Sequence, residues 1–170
     1  MTPTSGVAQE SGAGWRRIIA ALMAGIVLKQ LPWAGWALAV RPDFLLIALL
    51  FWAIHRPSRV GMGLAFALGL LSDFQDGVVF GQHALAYVLA VYVIQYFRLR
   101  LLQFDAARQS LQVLPVFLLA QLIVLVVGWL SGHPPRSLNI LLPAISGTVL
   151  WYFVALALHV WYGKEALRHA

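Results

Sequence analysis

Cysteine is absent from this chain, which excludes disulfides, thiolate metal sites and cysteine nucleophiles. Charge is scarce as well: 11% of residues are Asp, Glu, Lys or Arg, against about 25% in soluble domains. Acids are the scarcer sign, six against twelve basic residues. The histidines (His55, His83, His133, His159 and His169) are scattered, and no H-x-x-x-H or H-E-x-x-H spacing occurs, so a histidine metal site has weak support. Ser72 and Ser146 lack a G-x-S-x-G turn and a matched base. There is no P-loop, so any energy supply would come from another subunit, and no D-G-x-x-A-R pattern of phospholipid headgroup transferases. Asp73 and Asp76, three apart, could share a cation on a helix, but no further acid completes an oxygen shell. The expectation is no enzyme, no catalytic residues, no cofactor and no metal.

What the chain has in abundance is apolar sequence. Hydrophobic residues make up 61% of it, the mean hydropathy is +0.81, and apolar sequence runs from Ile18 to Tyr162 with short interruptions. This predicts an all-α, polytopic membrane protein with one transmembrane domain over residues 15–163. It would be flanked by a disordered cytoplasmic tail at 1–14 and a short cytoplasmic tail at 164–170. The apolar runs are Ile18–Leu28, Phe44–Ile54, Val60–Ser72, His83–Phe97, Leu111–Leu130 and Leu138–Trp161. Six crossings are predicted, with five as the alternative. The second run is short, about 16 Å as a helix, and needs its flanks to cross. A cleaved signal peptide ending near Ala37-Leu38-Ala39 is disfavoured by the long, bulky insert from Lys29 to Trp36.

The basic residues fix an orientation. With both termini inside, Arg16, Arg17, Arg56, Arg59, Arg98, Arg100, Arg108, Lys164 and Arg168 are cytoplasmic, and only Lys29, Arg41 and Arg136 lie outside. The net charge of +6 is therefore a topology signal. A nucleic-acid face would need these charges on one surface, and lipid-buried segments separate them. The tryptophans fall mostly near segment ends, where indoles favour the interface, and Trp151 is expected to pack inside the last helix.

Between Val60 and His83 small and acidic residues recur every four positions: Gly61, Ala65, Gly69, Asp73, Gly77 and Gly81. At helical pitch these share a face, so Gly61, Ala65 and Gly69 leave a smooth groove with Asp73 one turn on. In lipid such a stripe admits another backbone, from this chain or from a partner. Asp73 is expected to accept an interhelical hydrogen bond, Asp76 to be solvated, and Gly77 with Gly81 to end the helix in a tight turn. Lys29 either snorkels to the headgroups or serves Asp73 as counter-ion. Arg41-Pro42-Asp43 precedes the second segment, with Pro42 at a first helical position and Asp43 in the first turn, or as a partner contact. Gly147 offers a second close helix contact, and His133-Pro134-Pro135-Arg136 reads as a stiff outward loop.

Arg41-Pro42-Asp43-Phe44 with the aliphatic run to Phe51-Trp52, then Arg56-Pro57-Ser58-Arg59-Val60-Gly61, resembles the rod shape-determining protein MreD family. So do Gly69-Leu70-Leu71-Ser72-Asp73, Gly77, and Gly81-Gln82-His83-Ala84-Leu85-Ala86, with the basic linker around Arg98, Arg100 and Arg108. The resemblance covers residues 15–162 and is most specific between 41 and 87. It implies a bacterial inner-membrane scaffold of the machinery that builds lateral peptidoglycan. It also implies association with MreC and, through it, with the MreB filament, a glycan polymerase and a transpeptidase, in contact with membrane lipids. The family's fold is similar to substrate-binding subunits of energy-coupling-factor transporters, which supplies the rival expectation: a transporter subunit for a small or lipid-like ligand. Mid-segment residues are mostly Leu, Ala, Val and Ile, with Gln121 a rare exception, which argues against a hydrophilic substrate.

Overall fold

The structure is a computed structural model that describes residues 5–132 and 141–168, with side chains from Gly14 to Gly132 and from Leu142 to Ala157. The loop His133–Arg136 and the side chains of His159, Trp161, Lys164 and Arg168 lie outside the described residues. Helices account for all regular structure among the described residues: α1 (Ser5–Lys29), α2 (Trp36–Val40), α3 (Phe44–His55), α4 (Met62–Asp76), α5 (Gln82–Tyr96), α6 (Arg98–Leu101), α7 (Ala106–Leu130) and α8 (Leu141–Arg168).

Several helices are longer than the apolar runs that announce them. The α1 helix starts at Ser5, upstream of Trp15, and α7 starts at Ala106 rather than Leu111. The α2 turn extends the short second run, so that Trp36–His55 forms a 20-residue apolar span. Together with Ala106–Leu130 it is long and apolar enough to cross a membrane, and α8 adds a shorter apolar stretch, Leu142–Ala157. By contrast α4 and α5 have 15 residues each, about 22 Å at 1.5 Å per residue, less than a typical hydrocarbon core.

The α3 helix occupies the centre because it is apolar on every side. Leu45, Leu49, Leu50, Ala53 and Ile54 are fully buried. Gly25 of α1 lies so close to α3 that a Cβ there would sit 3.0 Å from the Leu45 Cα. Tyr87, Ala90, Val91 and Ile94 of α5 and Trp151 of α8 complete this core. The Trp151 ring meets Phe117 of α7 edge-on at 6.2 Å, and a Cβ on Gly147 would lie 3.6 Å from the same Phe117 ring.

Helix boundaries follow local chemistry. Asp43 is the N-cap of α3, its Oδ1 accepting the Leu46 N–H at 3.1 Å. Pro42 therefore stands one residue before the cap, not at the first helical position. Gly77 ends α4 in the left-handed region at φ 62°, and Val78 N–H bonds back to the Asp73 carbonyl, a Schellman-type close.

At the end of the bundle away from Lys29, a second set of contacts ties the helices together. Arg98 donates to the Ile54 carbonyl, Gln95 to the Val60 carbonyl at 2.9 Å, and the Arg59 guanidinium lies 5.8 Å from the Trp15 ring centre. The helix ends thus gather at two opposite poles.

Candidate functional site

The pole that holds the ends of α1 and α4 and the starts of α3 and α5 concentrates the polar side chains. Lys29 closes α1, Asp43 opens α3, Ser72, Asp73 and Asp76 occupy the last turns of α4, and His83 and Tyr87 occupy the first turns of α5. Asp73 is fully buried. Its Oδ2 accepts the Gly81 N–H at 2.8 Å, and its Oδ1 accepts the His83 backbone N–H at 2.7 Å and the ring Nδ1–H at 2.9 Å. A carboxylate can only accept, so the Nδ1 of His83 carries the hydrogen in this bond. Gly81, the formal N-cap of α5, has no side chain to offer, and Asp73 reaches across from α4 to cap α5 instead. Its negative charge also suits the positive end of that helix.

Lys29 has a different partner. Its Nζ lies 2.7 Å from Asp76 Oδ2 and also donates to the Ser72 hydroxyl. The Ser72 oxygen lies 3.3 Å from the Tyr87 hydroxyl, which donates to Asp43 Oδ2 at 2.6 Å. The hydrogens run in one direction: Lys29 to Ser72, Ser72 to Tyr87, Tyr87 to Asp43. One continuous chain therefore joins α1, α4, α5 and α3. Arg41 adds a fourth tie, donating to the Lys29 carbonyl at 3.2 Å and approaching Asp76 Oδ1 at 3.7 Å. His83 Nε2 stands 3.5 Å from Asp76 Oδ2.

These positions revise the sequence reading in particular ways. Lys29 pairs with Asp76 and not with Asp73. Asp76, expected to be solvated, has a side chain only 23% exposed because Lys29 and Arg41 converge on it. Arg41 and Asp43, expected to act as helix-start residues or a partner contact, turn to different groups of this chain: Arg41 to Asp76 and Asp43 to Tyr87. Within the small-residue stripe, Ala65 and Gly69 are buried. A Cβ on Gly69 would overlap the Ala84 Cα and lie 2.6 Å from the Ala84 nitrogen and 2.8 Å from the His83 carbonyl carbon. The groove at Gly69 is thus filled by α5 of the same chain. Gly61 has open space where a Cβ would be.

Tyr87 was missing from the sequence reading, and His83 entered as a scattered histidine and as part of the family-like segment, with no partner assigned to it. Their spacing of four on one apolar helix, following an acid-bearing turn, is the signal that places both on the face toward Asp73.

A cleft of about 160 Å³ opens at this pole, lined by Lys29, Arg41, Pro42, Asp43, Asp76 and His83, with Gln121 and Pro143 reaching it from α7 and α8. Its charged groups satisfy one another. Ser72 is fully buried, and Lys29 is shared between its hydroxyl and the Asp76 carboxylate. Among the described residues no group of three His, Asp or Glu is placed to hold a metal ion.

The distribution of polarity is inverted relative to a soluble protein. Lys29, Ser72, Asp73, Gln82, Gln109 and Ser110 are buried, while Phe66, Phe74, Tyr92, Val126, Val149 and Phe153 face outward. A helical bundle with a polar interlock inside and an aromatic and aliphatic exterior is a membrane protein. The chain matches the model of the rod shape-determining protein MreD family over residues 13–160. It is also 28% identical over 142 residues to a Haemophilus influenzae protein named rod shape-determining protein MreD, an alignment covering 84% of this chain and 88% of that relative. The chain belongs to the rod shape-determining protein MreD family. No solved structure matches it.

Proposed function

We propose that the chain is a multi-pass protein of the bacterial inner membrane that acts as a non-enzymatic scaffold for lateral peptidoglycan synthesis. In this reading it crosses six times with both termini cytoplasmic. It binds MreC directly at its outer pole, and through MreC it is linked to the MreB filament, a glycan polymerase and a transpeptidase. The observation that carries the reading is the interlock of Lys29, Ser72, Tyr87, Asp43 and Asp76. It fixes four helix ends through polar groups paired with one another. A scaffold needs a rigid presenting surface, and charged groups that satisfy one another at membrane depth supply rigidity without a substrate.

Arg41, Pro42 and Asp43 line the cleft at this pole, beside the 82% exposed Trp36, and form the proposed contact for MreC. Gly61 stays a candidate packing position for a partner helix, whereas Ala65 and Gly69 act within the chain. A transporter subunit would need unpaired polar groups converging on a ligand, and this cleft has its charges paired internally.

Affinity purification of the tagged chain from native membranes in mild detergent tests the proposal. Near-stoichiometric MreC with wall-synthesis enzymes is the expected result. Recovery of a transmembrane coupling subunit with paired ATPases, and no MreC, would overturn it in favour of transport.

A further inference from the structure

At the pole opposite the interlock, α5, α6 and the first half of α7 enclose a cleft of about 610 Å³, within the range of about 300–1,000 Å³ common for ligand sites. Val93 of α5, Phe97 at its C-cap, and Pro115 and Leu119 of α7 make apolar walls, and the polar lining residues are Arg100 of α6 and Gln112 near the start of α7. The cleft follows α7 from Leu111 to Leu119, about 12 Å along the helix axis.

The arginines around this cleft are not equivalent. Arg98 donates to the Ile54 carbonyl and Arg108 lies 3.5 Å from Asp105. Arg100 is exposed and makes no ion pair among the described residues. Asp105 is the only acid between Asp76 and Glu165, so no other nearby carboxylate in the sequence competes for it. Pro115 lacks an N–H, which leaves the carbonyl of Leu111, a residue of the same wall, without its helical donor.

An apolar slot two helical turns deep, with one uncommitted guanidinium at its mouth, has the chemistry of a phospholipid site. We infer that this cleft binds one anionic phospholipid, an acyl chain lying between α5 and α7 and the phosphate held by Arg100. In the orientation proposed above this phospholipid belongs to the cytoplasmic leaflet, and that placement rests on the orientation while the binding itself does not.

Native mass spectrometry of the full chain, released from detergent with phosphatidylglycerol or phosphatidylethanolamine of matched chains, tests it. The wild type is expected to retain phosphatidylglycerol in preference. Arg100→Gln reduces that preference about fivefold, as for loss of one arginine beside an anionic headgroup, while Arg108→Gln, outside the cleft, leaves it unchanged. Leu119→Trp fills the slot and weakens both lipids. Equal retention of the two lipids by the wild type, or equal effects of the two arginine variants, overturns the inference. Displacement of the lipid by soluble glycerol phosphate overturns the acyl-chain half of it. Should Leu119→Trp fail to fold, Gln112→Cys gives a single thiol for a spin label. Broadening by chain-labelled phosphatidylglycerol beyond that by chain-labelled phosphatidylethanolamine is then required. If the same position cross-links to a protein helix in native membranes in place of lipid, the occupant is a partner and the inference fails. A reversed orientation in membranes would leave these detergent results unchanged, so the two readings fail separately.

Discussion

Lys29, the last residue of α1, and Asp76, the last of α4, meet at 2.7 Å. The lysine side chain is 6% exposed, the aspartate 23%. Lys29 also donates to Ser72, so its loss orphans both a carboxylate and a buried hydroxyl. Lys29→Met is expected to destabilise the fold by about 3 kcal/mol, the lower end for breaking a buried pair since Asp76 keeps Arg41 and some solvent. Lys29→Met with Asp76→Leu should recover most of that loss, because no charge is left unpaired. Thermal unfolding in detergent reads both; additive losses in the double variant would mean that the pair is not coupled.

Asp73 caps α5 from outside that helix. Asp73→Ala removes the acceptor for the Gly81 and His83 N–H groups and should cost on the order of 2 kcal/mol, the upper range for a cap, since the group is buried. Hydrogen exchange localises the effect: amides of residues 81–85 should exchange faster while those of α7 stay protected. Uniform acceleration across the chain would contradict a capping role.

The small-residue stripe should divide. Gly69→Ala places a methyl against the Ala84 backbone, which cannot rotate aside, and should cost about 1–3 kcal/mol as an overpacked site. Gly61→Ala meets open space at a negative φ and should be close to neutral in unfolding midpoint. Equal losses at both positions would show that the α4–α5 approach is looser than described.

Tyr87→Phe removes one oxygen from the chain between Ser72 and Asp43. It keeps the ring's burial, so the expected loss is about 1–3 kcal/mol, that of unsatisfied buried partners. A Tyr87→Phe variant as stable as the wild type would place the strength of the interlock in the Lys29–Asp76 pair alone.

Much of this arrangement was legible in the residues. The order of the apolar segments put Lys29 and Arg41 at one pole, where they meet Asp76, because alternating helices return their ends to the same side. The Gly77 turn followed from glycine after an acid-rich helix end, and the interior place of Trp151 from its distance to any segment end. Partner choice was not legible. Whether Lys29 reaches Asp73 or Asp76 depends on helix rotation, and four-residue spacing does not say which face of α4 turns to α1. The extension of the second span by α2 was hidden by Pro42, which interrupts the apolar run without ending the span. The lipid-sized cleft escaped notice because its walls are residues that read as ordinary core.

In the proposed topology the interlock lies at the outer face and the arginine-rich pole in the cytoplasm, with the helices alternating between them. Since the chain has no native cysteine, single-cysteine variants report this without background. Ala34→Cys and Phe80→Cys, in loops at the interlock pole, should react with a membrane-impermeant thiol reagent added to spheroplasts. Ser58→Cys and Gln103→Cys, in loops at the opposite pole, should react only after permeabilisation. Labelling of all four from one side, or the reverse pattern, would contradict the account.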